Sequence, residues 1–156
     1  MENKYIIELK DISKVYDGET VVVEDFNQTK KKGEFITFLG PSGCGKTTTL
    51  RMIAGFELPT AGKILLNGED ISSLPPYKRP INTVFQRYAL FPHLNIYENI
   101  AFGLKMKKLS KEEIDKKVKY ALEVVDLEGF EKRSVNTLSG GQQQRVAIAR
   151  ALINNP

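Results

Sequence analysis

The most informative segment of this 156-residue chain is Gly40-Pro41-Ser42-Gly43-Cys44-Gly45-Lys46-Thr47. It fits the pattern G-x-x-x-x-G-K-T at every fixed position. Glycines in such a loop let successive backbone N–H groups converge on phosphate oxygens without Cβ clashes. The lysine adds a positive charge for the outer phosphates, and the threonine hydroxyl can ligate Mg²⁺. The stretch therefore predicts a phosphate-binding loop, in which Cys44 occupies a variable position and is interpreted as a plain loop residue.

The segments on either side of the loop support this prediction. Glu34–Leu39 is short, apolar and rich in Phe, which predicts a buried strand. Lys46–Ala54 contains no Pro or Gly and ends at Gly55, which predicts a helix whose positive dipole end faces the phosphates. A glycine-rich turn ahead of a helix is the alternative, and the preceding strand together with the lysine and threonine disfavours it.

The rest of the chain divides into a β-rich first part and a helical second part. The other segments predicted as strands are Tyr5–Leu9, Thr20–Phe26, Lys63–Leu66 and Ile81–Phe85. The pairs Asp17-Gly18 and Asn67-Gly68 are typical of turns. Helices with capping boxes are predicted to start at Asn95 and Ser110, and Ser139 is predicted to cap a final helix that runs to about residue 153. The second helix carries an apolar stripe that predicts core packing, formed by Ile114, Val118, Ala121, Leu122 and Val125.

Composition narrows the classes of protein that the chain can belong to. The formal net charge is +4, from 23 basic and 19 acidic side chains, which decides no partner. Lys30-Lys31-Lys32 is the densest basic run, and without interleaved aromatics it predicts a solvated turn and no nucleic-acid partner. The single cysteine predicts a reducing compartment, the cytoplasm. No apolar stretch approaches the roughly 20 residues of a membrane span, and the N-terminus lacks the apolar run of a signal peptide.

A second anion-binding feature is predicted nearly a hundred residues further on, at Leu138-Ser139-Gly140-Gly141-Gln142. Ser139 caps a helix, and the two glycines leave backbone N–H groups open beside it. A lone Ser-Gly-Gly is usually only a helix cap. The full run Leu138–Leu152, in the same chain as the phosphate loop, is far more specific.

With both motifs in view, the sequence resembles the ATP-binding subunits of ABC transporters over its whole length. The markers stand in the family's order: Tyr16, Gly40–Thr48, Gln86 and Leu138–Gln142. The resemblance implies an α/β fold of the P-loop NTPase, ABC-ATPase type. It also implies a single domain over residues 1–156 with an N-terminal antiparallel β subdomain, a helical subdomain at about 87–145 and an incomplete core sheet.

The resemblance further assigns roles to single residues. It implies that Tyr16 stacks on adenine, that Val21 lies near the ribose or base, and that Thr48 joins the phosphate loop in binding ATP. Lys46 and Gln86 would be catalytic, and Thr47 and Gln86 would hold Mg²⁺. Two copies would pair head to tail, so that the γ-phosphate on one copy meets the signature of the other, namely Ser139, Gly140, Gly141 and Gln142. Two alternatives stay open: Tyr16 as an ordinary strand aromatic and Gln86 as a strand-end glutamine without a ligand.

The resemblance also predicts partners and a location. Gln86–Leu94 is similar to the family's contact surface for transmembrane permease subunits, although packing against the helical subdomain explains single residues of it equally well. The stretches Leu74–Arg79, Asn82–Gln86 and Tyr88–His93 resemble the spermidine/putrescine (polyamine) importers, with maltose, iron and sulfate importers as alternatives. A peripheral position on the cytoplasmic face of the membrane follows, with a substrate-binding protein as an indirect partner. A soluble ABC protein of translation or DNA repair is a third hypothesis, and the sequence carries neither a paired cassette nor a long coiled coil in its favour.

The family's acidic strand, ending in Asp-Glu, would follow residue 156. Its Asp supports Mg²⁺ and its Glu polarises the attacking water, and Arg150–Pro156 contains no acidic residue or histidine that could replace them. The sequence therefore predicts a C-terminally truncated chain that binds nucleotide and hydrolyses it weakly or not at all by itself.

Overall fold

The computed structural model describes residues Lys4–Asn154. The chain divides into two compact units, an N-terminal unit up to Ile81 and a C-terminal unit from Asn82 onward. Within the described residues, no helix has both the length and the apolar character needed to cross a bilayer.

The N-terminal unit contains a four-stranded antiparallel sheet with the strand order β2-β1-β3-β4. Its strands are β1 (Ile7–Tyr16), β2 (Thr20–Lys30), β3 (Ala61–Leu66) and β4 (Glu69–Asp70). The turns predicted at Asp17-Gly18 and Asn67-Gly68 are confirmed, because they join β1 to β2 and β3 to β4. The two-residue strand β4 was not predicted, since it has no apolar pattern.

The predicted helix after the phosphate loop is confirmed as α1, Lys46–Ala54. Gly55, at φ 85°, ends it in the left-handed conformation that glycine favours. The sheet buries one face against this helix, and Met52 of α1 is fully buried. The sheet residues in this core are Leu9, Ile12, Val23, Ile64 and Leu66.

The C-terminal unit contains three helices, α2 (Ile96–Met106), α3 (Lys111–Val124) and α4 (Gly140–Leu152). Each begins at a capping box, formed by Asn95, Ser110 and Ser139, so the three predicted starts are confirmed. The apolar stripe predicted on α3 is also confirmed, since all five residues belong to the buried core of this unit.

Two predicted strands are wrong. Neither Glu34–Leu39 nor Ile81–Phe85 is a strand, and the exposed fractions of Phe35 and Leu39 are 92% and 86%. An apolar composition favours burial, but a strand exists only where a neighbouring strand accepts and donates the ladder hydrogen bonds. Within residues 4–154 the only sheet is the antiparallel one, and neither segment pairs with it. Pro76–Lys78 is a short 3₁₀ helix.

Candidate nucleotide-phosphate site

The phosphate loop turns on two glycines whose backbones are left-handed. Gly43 has φ 85° and Gly45 has φ 82°, values that residues with a Cβ rarely adopt. A Cβ on Gly45 would lie 2.7 Å from the backbone oxygen of Val22 and 2.9 Å from the Val23 side chain. A Cβ on Gly43 would meet nothing within 4 Å. Gly45 therefore lets the loop approach β2, whereas Gly43 only lets the chain turn.

The loop leads directly into the amino-terminal end of α1. Gly45 is the N-cap and supplies no side-chain oxygen to the first turn. Its carbonyl accepts from the Thr49 N–H at 2.8 Å and from the Thr49 hydroxyl at 3.0 Å, so the loop is anchored to the helix. The first N–H groups of a helix have no intrahelical acceptor, and with the dipole they attract an anion. A phosphate group at this end would supply the missing acceptors.

The Lys46 side chain folds back over the loop. Its ammonium donates to the carbonyls of Gly40 at 2.8 Å and Pro41 at 2.6 Å, and it lies 3.3 Å from the Cys44 sulfur. Cys44 is exposed, and its thiol was not expected to take part in this contact. The positive charge is therefore already held within the loop that would surround the phosphates.

The residues predicted to hold the base lie on the β1–β2 hairpin. Tyr16 ends β1 opposite Thr20, and Val21, 54% exposed, pairs with Val15. The Lys14 ammonium lies over the Tyr16 ring, 4.8 Å from its centroid, and forms a cation–π contact with it. Because Val21 directly precedes Val22, which Gly45 approaches, this hairpin and the phosphate loop are neighbours.

Arg79 is a residue of this unit that the sequence analysis did not single out. It is 4% exposed and donates to four backbone carbonyls at 2.7–3.0 Å. Two of them, those of Met52 and Ile53, belong to the last turn of α1. Burial lowers the pKa of Arg79. This arginine therefore fixes the carboxyl end of α1, the helix whose first turn follows the loop, and no local sequence pattern predicted its place.

The second predicted anion site is the first turn of α4, in the C-terminal unit. The Ser139 hydroxyl accepts from the Gln142 N–H at 3.3 Å, and the Gln142 side chain accepts from the Ser139 N–H at 3.0 Å. Gly140 and Gly141 are exposed beside this box, and Leu138 is buried beneath it. The serine, the two glycines and the glutamine are thus collected on one exposed helix end.

Segment 86–94 (Gln86–Leu94) is held to the helices of the same unit. Gln86 is exposed in a turn and does not follow a strand as expected. The fully buried Asn99 side chain accepts from the Phe91 N–H at 2.8 Å and donates to the carbonyls of Phe91 and Leu94, each at 3.1 Å. Pro92 and His93 remain exposed at the tip.

The donor set of the loop suits Mg²⁺-bound phosphates. Thr47 is exposed in the first turn of α1, where its hydroxyl is of the hard oxygen type that Mg²⁺ accepts. Within residues 4–154, no group of three or more His, Cys, Asp or Glu side chains forms a metal site of its own. A metal at this loop would therefore depend on phosphate oxygens for several of its ligands, as is usual for Mg²⁺.

A glycine loop, an internal lysine and a helix that starts directly after them define a P-loop nucleotide-binding protein. The sequence profile of the family described as "ABC transporter" matches residues 23–156, and the chain belongs to this family.

Two relatives illustrate the match in sequence. The chain is 64% identical over 151 residues to the spermidine/putrescine import ATP-binding protein PotA of Clostridioides difficile, covering 97% of this chain and 43% of that protein. It is 60% identical over 156 residues to the protein of the same name from Clostridium acetobutylicum, covering 100% and 44%. The chain therefore spans less than half the length of these relatives.

Two solved structures illustrate the match in fold. CbiO1 of Clostridium perfringens, described as part of an ABC transporter complex, superimposes with a TM-score of 0.87 at 31% identity, covering 98% of this chain and 63% of that one. A dimeric bacterial ABC transporter cassette gives a TM-score of 0.85 at 39% identity, covering 96% and 70%. The predicted α/β fold of the ABC-ATPase type, with its antiparallel β subdomain, is confirmed.

Proposed function

We propose that the complete protein is the ATP-binding subunit of an ABC importer and couples ATP binding and hydrolysis to the uptake of polyamines. The observation that carries this proposal is the Lys46 loop at the start of α1, in a chain 64% identical to a protein named for spermidine/putrescine import. Maltose, iron and sulfate remain the alternative cargoes, because an ATP site carries no information about the transported molecule.

The proposed phosphate chemistry uses residues of the loop and of segment 86–94. The backbone N–H groups after Gly45 would bind the phosphates, and Lys46 would exchange its three loop contacts for β- and γ-phosphate oxygens. Mg²⁺, when bound, would neutralise the charge that develops on the transferred phosphoryl group. Thr47 and Gln86 are the proposed metal ligands, and Gln86 would also orient the attacking water.

The proposed nucleotide site is completed by a second copy of the chain. The loop and the Ser139–Gln142 turn are both suited to anions, and they belong to different units of the chain. In a head-to-tail pair, the turn of one copy would close over the γ-phosphate held by the loop of the other. The dimeric state of a solved cassette with a TM-score of 0.85 supports this arrangement.

The proposed partners are transmembrane permease subunits, which would bind at segment 86–94 and hold the protein on the cytoplasmic face of the membrane. Pro92 and His93 are exposed at the tip of this segment, and the neighbouring Phe91 ring packs against the Phe102 ring with their centroids 4.6 Å apart. An exposed tip on a packed support is suited to binding a partner, which supports this assignment. The permease would in turn receive the cargo from a substrate-binding protein.

The test is uptake by the complete protein reassembled with its permease subunits in vesicles. We expect ATP-dependent uptake of labelled spermidine, which excess putrescine inhibits and which maltose and sulfate do not. Lys46→Ala should abolish both uptake and ATP hydrolysis, whereas Lys63→Ala, outside the loop, should leave both intact. Equal ATP hydrolysis by the wild type and the Lys46→Ala protein would contradict the proposed activity. Uptake that maltose or sulfate inhibits, and putrescine does not, would show that the protein transports a different cargo.

A narrower proposal concerns residues 1–156 by themselves: they bind nucleotide without turning it over. It rests on the resemblance, which assigns the carboxylate that activates water to a strand outside these residues. Mg²⁺–ATP binding without phosphate release is the expected result for the 156-residue chain. Phosphate release that Lys46→Ala removes would contradict it.

A further inference from the structure

The Arg150 side chain of α4 forms hydrogen bonds to segment 86–94. This arginine donates to the carbonyl of Ala89 at 2.8 Å and to the carbonyl of Tyr88 at 2.9 Å. Its guanidinium carbon lies 5.4 Å from the centroid of the Phe91 ring. The side chain is partly buried, and this burial lowers the pKa of Arg150. The contact is thus a planar, desolvated fork on two consecutive carbonyls, a geometry that a lysine cannot reproduce.

The two residues that Arg150 holds have an unfavourable backbone. Tyr88 has φ 59° and Ala89 has φ 46°, and neither is a glycine. Left-handed backbone at two successive non-glycine residues persists only where the surroundings impose it. Arg150 supplies that restraint from α4, since it binds the carbonyl of each of the two residues.

Tyr88 also reaches the other end of α4. Its hydroxyl lies 3.9 Å from the position that a Cβ on Gly140 would occupy. The segment therefore meets α4 at both ends: at Gly140 in the first turn and at Arg150 near the last. A helix of 13 residues is a stiff element, so its two ends keep their positions relative to each other. Because the Tyr88 hydroxyl lies beside Gly140, a displacement of Tyr88 changes the surroundings of the Ser139–Gln142 turn.

We propose that Arg150 is a positioning residue for the ATPase reaction, coupling segment 86–94 to the turn that closes over the second copy's ATP. The inference rests on the proposed function, because it takes segment 86–94 as the binding place of the permease. Arg150 itself touches neither nucleotide nor permease in this account. It acts by keeping Tyr88 and Ala89 in the conformation that places the tyrosine hydroxyl beside Gly140.

Arg145 provides a matched control on the same helix. It donates to two consecutive backbone carbonyls, those of Val125 at 2.9 Å and Asp126 at 3.2 Å. These carbonyls follow α3, whereas Arg150 binds segment 86–94. Arg145→Gln and Arg150→Gln therefore remove the same type of side chain and the same number of hydrogen bonds to backbone carbonyls, but only Arg150→Gln releases the segment.

The first experiment measures hydrogen exchange in the complete protein without its membrane partners. In the wild type the N–H groups of Tyr88, Ala89 and Phe91 are hydrogen-bonded. Arg150→Gln should make these amides exchange about tenfold faster, and Arg145→Gln should leave them unchanged. Arg150→Lys should resemble Arg150→Gln, since a positive charge without the fork cannot hold both carbonyls. Equal exchange at these amides in the two glutamine variants overturns the proposal.

The second experiment measures the ratio of ATP hydrolysis with and without the permease subunits. Arg150→Gln should lower this ratio by about tenfold without a change in nucleotide affinity, and Arg145→Gln should keep it. An unchanged ratio in Arg150→Gln overturns the coupling role. A wild-type ratio of one contradicts the proposed function instead, and hydrogen exchange then still decides whether Arg150 holds the segment.

Discussion

At the scale of single residues, the phosphate loop depends on the space around Gly45. Its left-handed backbone lets the loop lie against β2, with the Val22 backbone oxygen 2.7 Å from where a Cβ would stand. Gly43 has nearly the same φ but open surroundings. The two positions therefore separate the effect of backbone conformation from the effect of crowding.

Substitution of these glycines by alanine should affect stability unequally. Gly43→Ala carries only the left-handed backbone penalty, about 1 kcal/mol of unfolding free energy. Gly45→Ala adds a clash with backbone atoms that cannot rotate away, so a loss of about 3 kcal/mol is expected. Urea denaturation of both variants measures the difference. Equal losses of unfolding free energy in the two variants would mean that β2 shifts to accommodate the added methyl group.

Lys46 illustrates how a charged group is kept ready for its ligand. Without nucleotide, its ammonium is satisfied by the Gly40 and Pro41 carbonyls and approaches the Cys44 sulfur. A phosphate oxygen carries negative charge, so it is a stronger acceptor than either carbonyl. In the proposed function, the lysine therefore changes partners and its charge is never left unsatisfied.

At the scale of elements, Arg79 anchors the carboxyl end of α1 from outside the helix. Its four bonds to carbonyls tie the last turn of α1 to the chain around Ser72 and Leu74. A positive charge at a helix carboxyl end also stabilises the macrodipole. The orientation of the helix that follows the phosphate loop thus depends on a residue more than thirty positions after that loop.

Arg79→Met should therefore lower the unfolding free energy by about 3 kcal/mol, because several buried carbonyls lose a charged donor. Arg51→Met is the matched control on α1 itself. Arg51 is exposed and reaches Glu57 only at 4.0 Å, so its loss should stay within about 0.5 kcal/mol. Denaturant unfolding of both variants is the measurement, and equal stability of the two would contradict the anchoring role.

The contact between α2 and α3 should titrate at high pH. The Tyr97 hydroxyl donates to Asp115, and this hydrogen bond, with desolvation and the nearby negative charge, raises the pKa of Tyr97 to about 12. A raised folded-state pKa means that the contact contributes its full stability below pH 10 and loses it as the pH rises through about 12. Neutral solutions should leave the contact unaffected.

Ultraviolet absorbance of tyrosinate, taken as the difference between the wild type and Tyr97→Phe, measures this ionisation. Asp115→Asn should lower its midpoint, since the charged acceptor is gone. A midpoint that Asp115→Asn leaves unchanged would show that the aspartate is not the cause.

The elements that the sequence predicted well are those with local signals. The bounds of α1 follow from a run without Pro or Gly that ends at Gly55. The predicted capping boxes place the starts of α2 and α3, and the predicted Ser139 cap places the start of α4. Segments 34–39 and 81–85 were predicted wrongly, because strand formation depends on a distant neighbour that no local pattern reveals. Arg79 and Arg150 were missed for the same reason, since their acceptors are carbonyls that only the folded chain brings close.

At the scale of the whole molecule, the chain carries two helix ends that are proposed to bind anions, one in each of its two units. The first holds the phosphate loop with Lys46, and the second holds the exposed turn around Ser139. Our central claim is that neither is a complete site, and that each is completed by the other feature in a second copy. The roles proposed for the Lys46 loop, for the turn around Ser139, for the Arg79 anchor of α1 and for Arg150 all depend on this pairing.

Mixing two inactive variants of the complete protein tests this claim most directly. Lys46→Ala removes the loop function and Ser139→Arg blocks the turn, so neither variant alone should hydrolyse ATP. In a head-to-tail pair of one copy of each, one site combines both defects and the other has an intact loop and an intact turn. An equal mixture should therefore regain up to about a quarter of the wild-type sites, measured as phosphate release with Mg²⁺–ATP. A mixture as inactive as its two components would contradict the account, because it would place loop and turn of one chain in the same site.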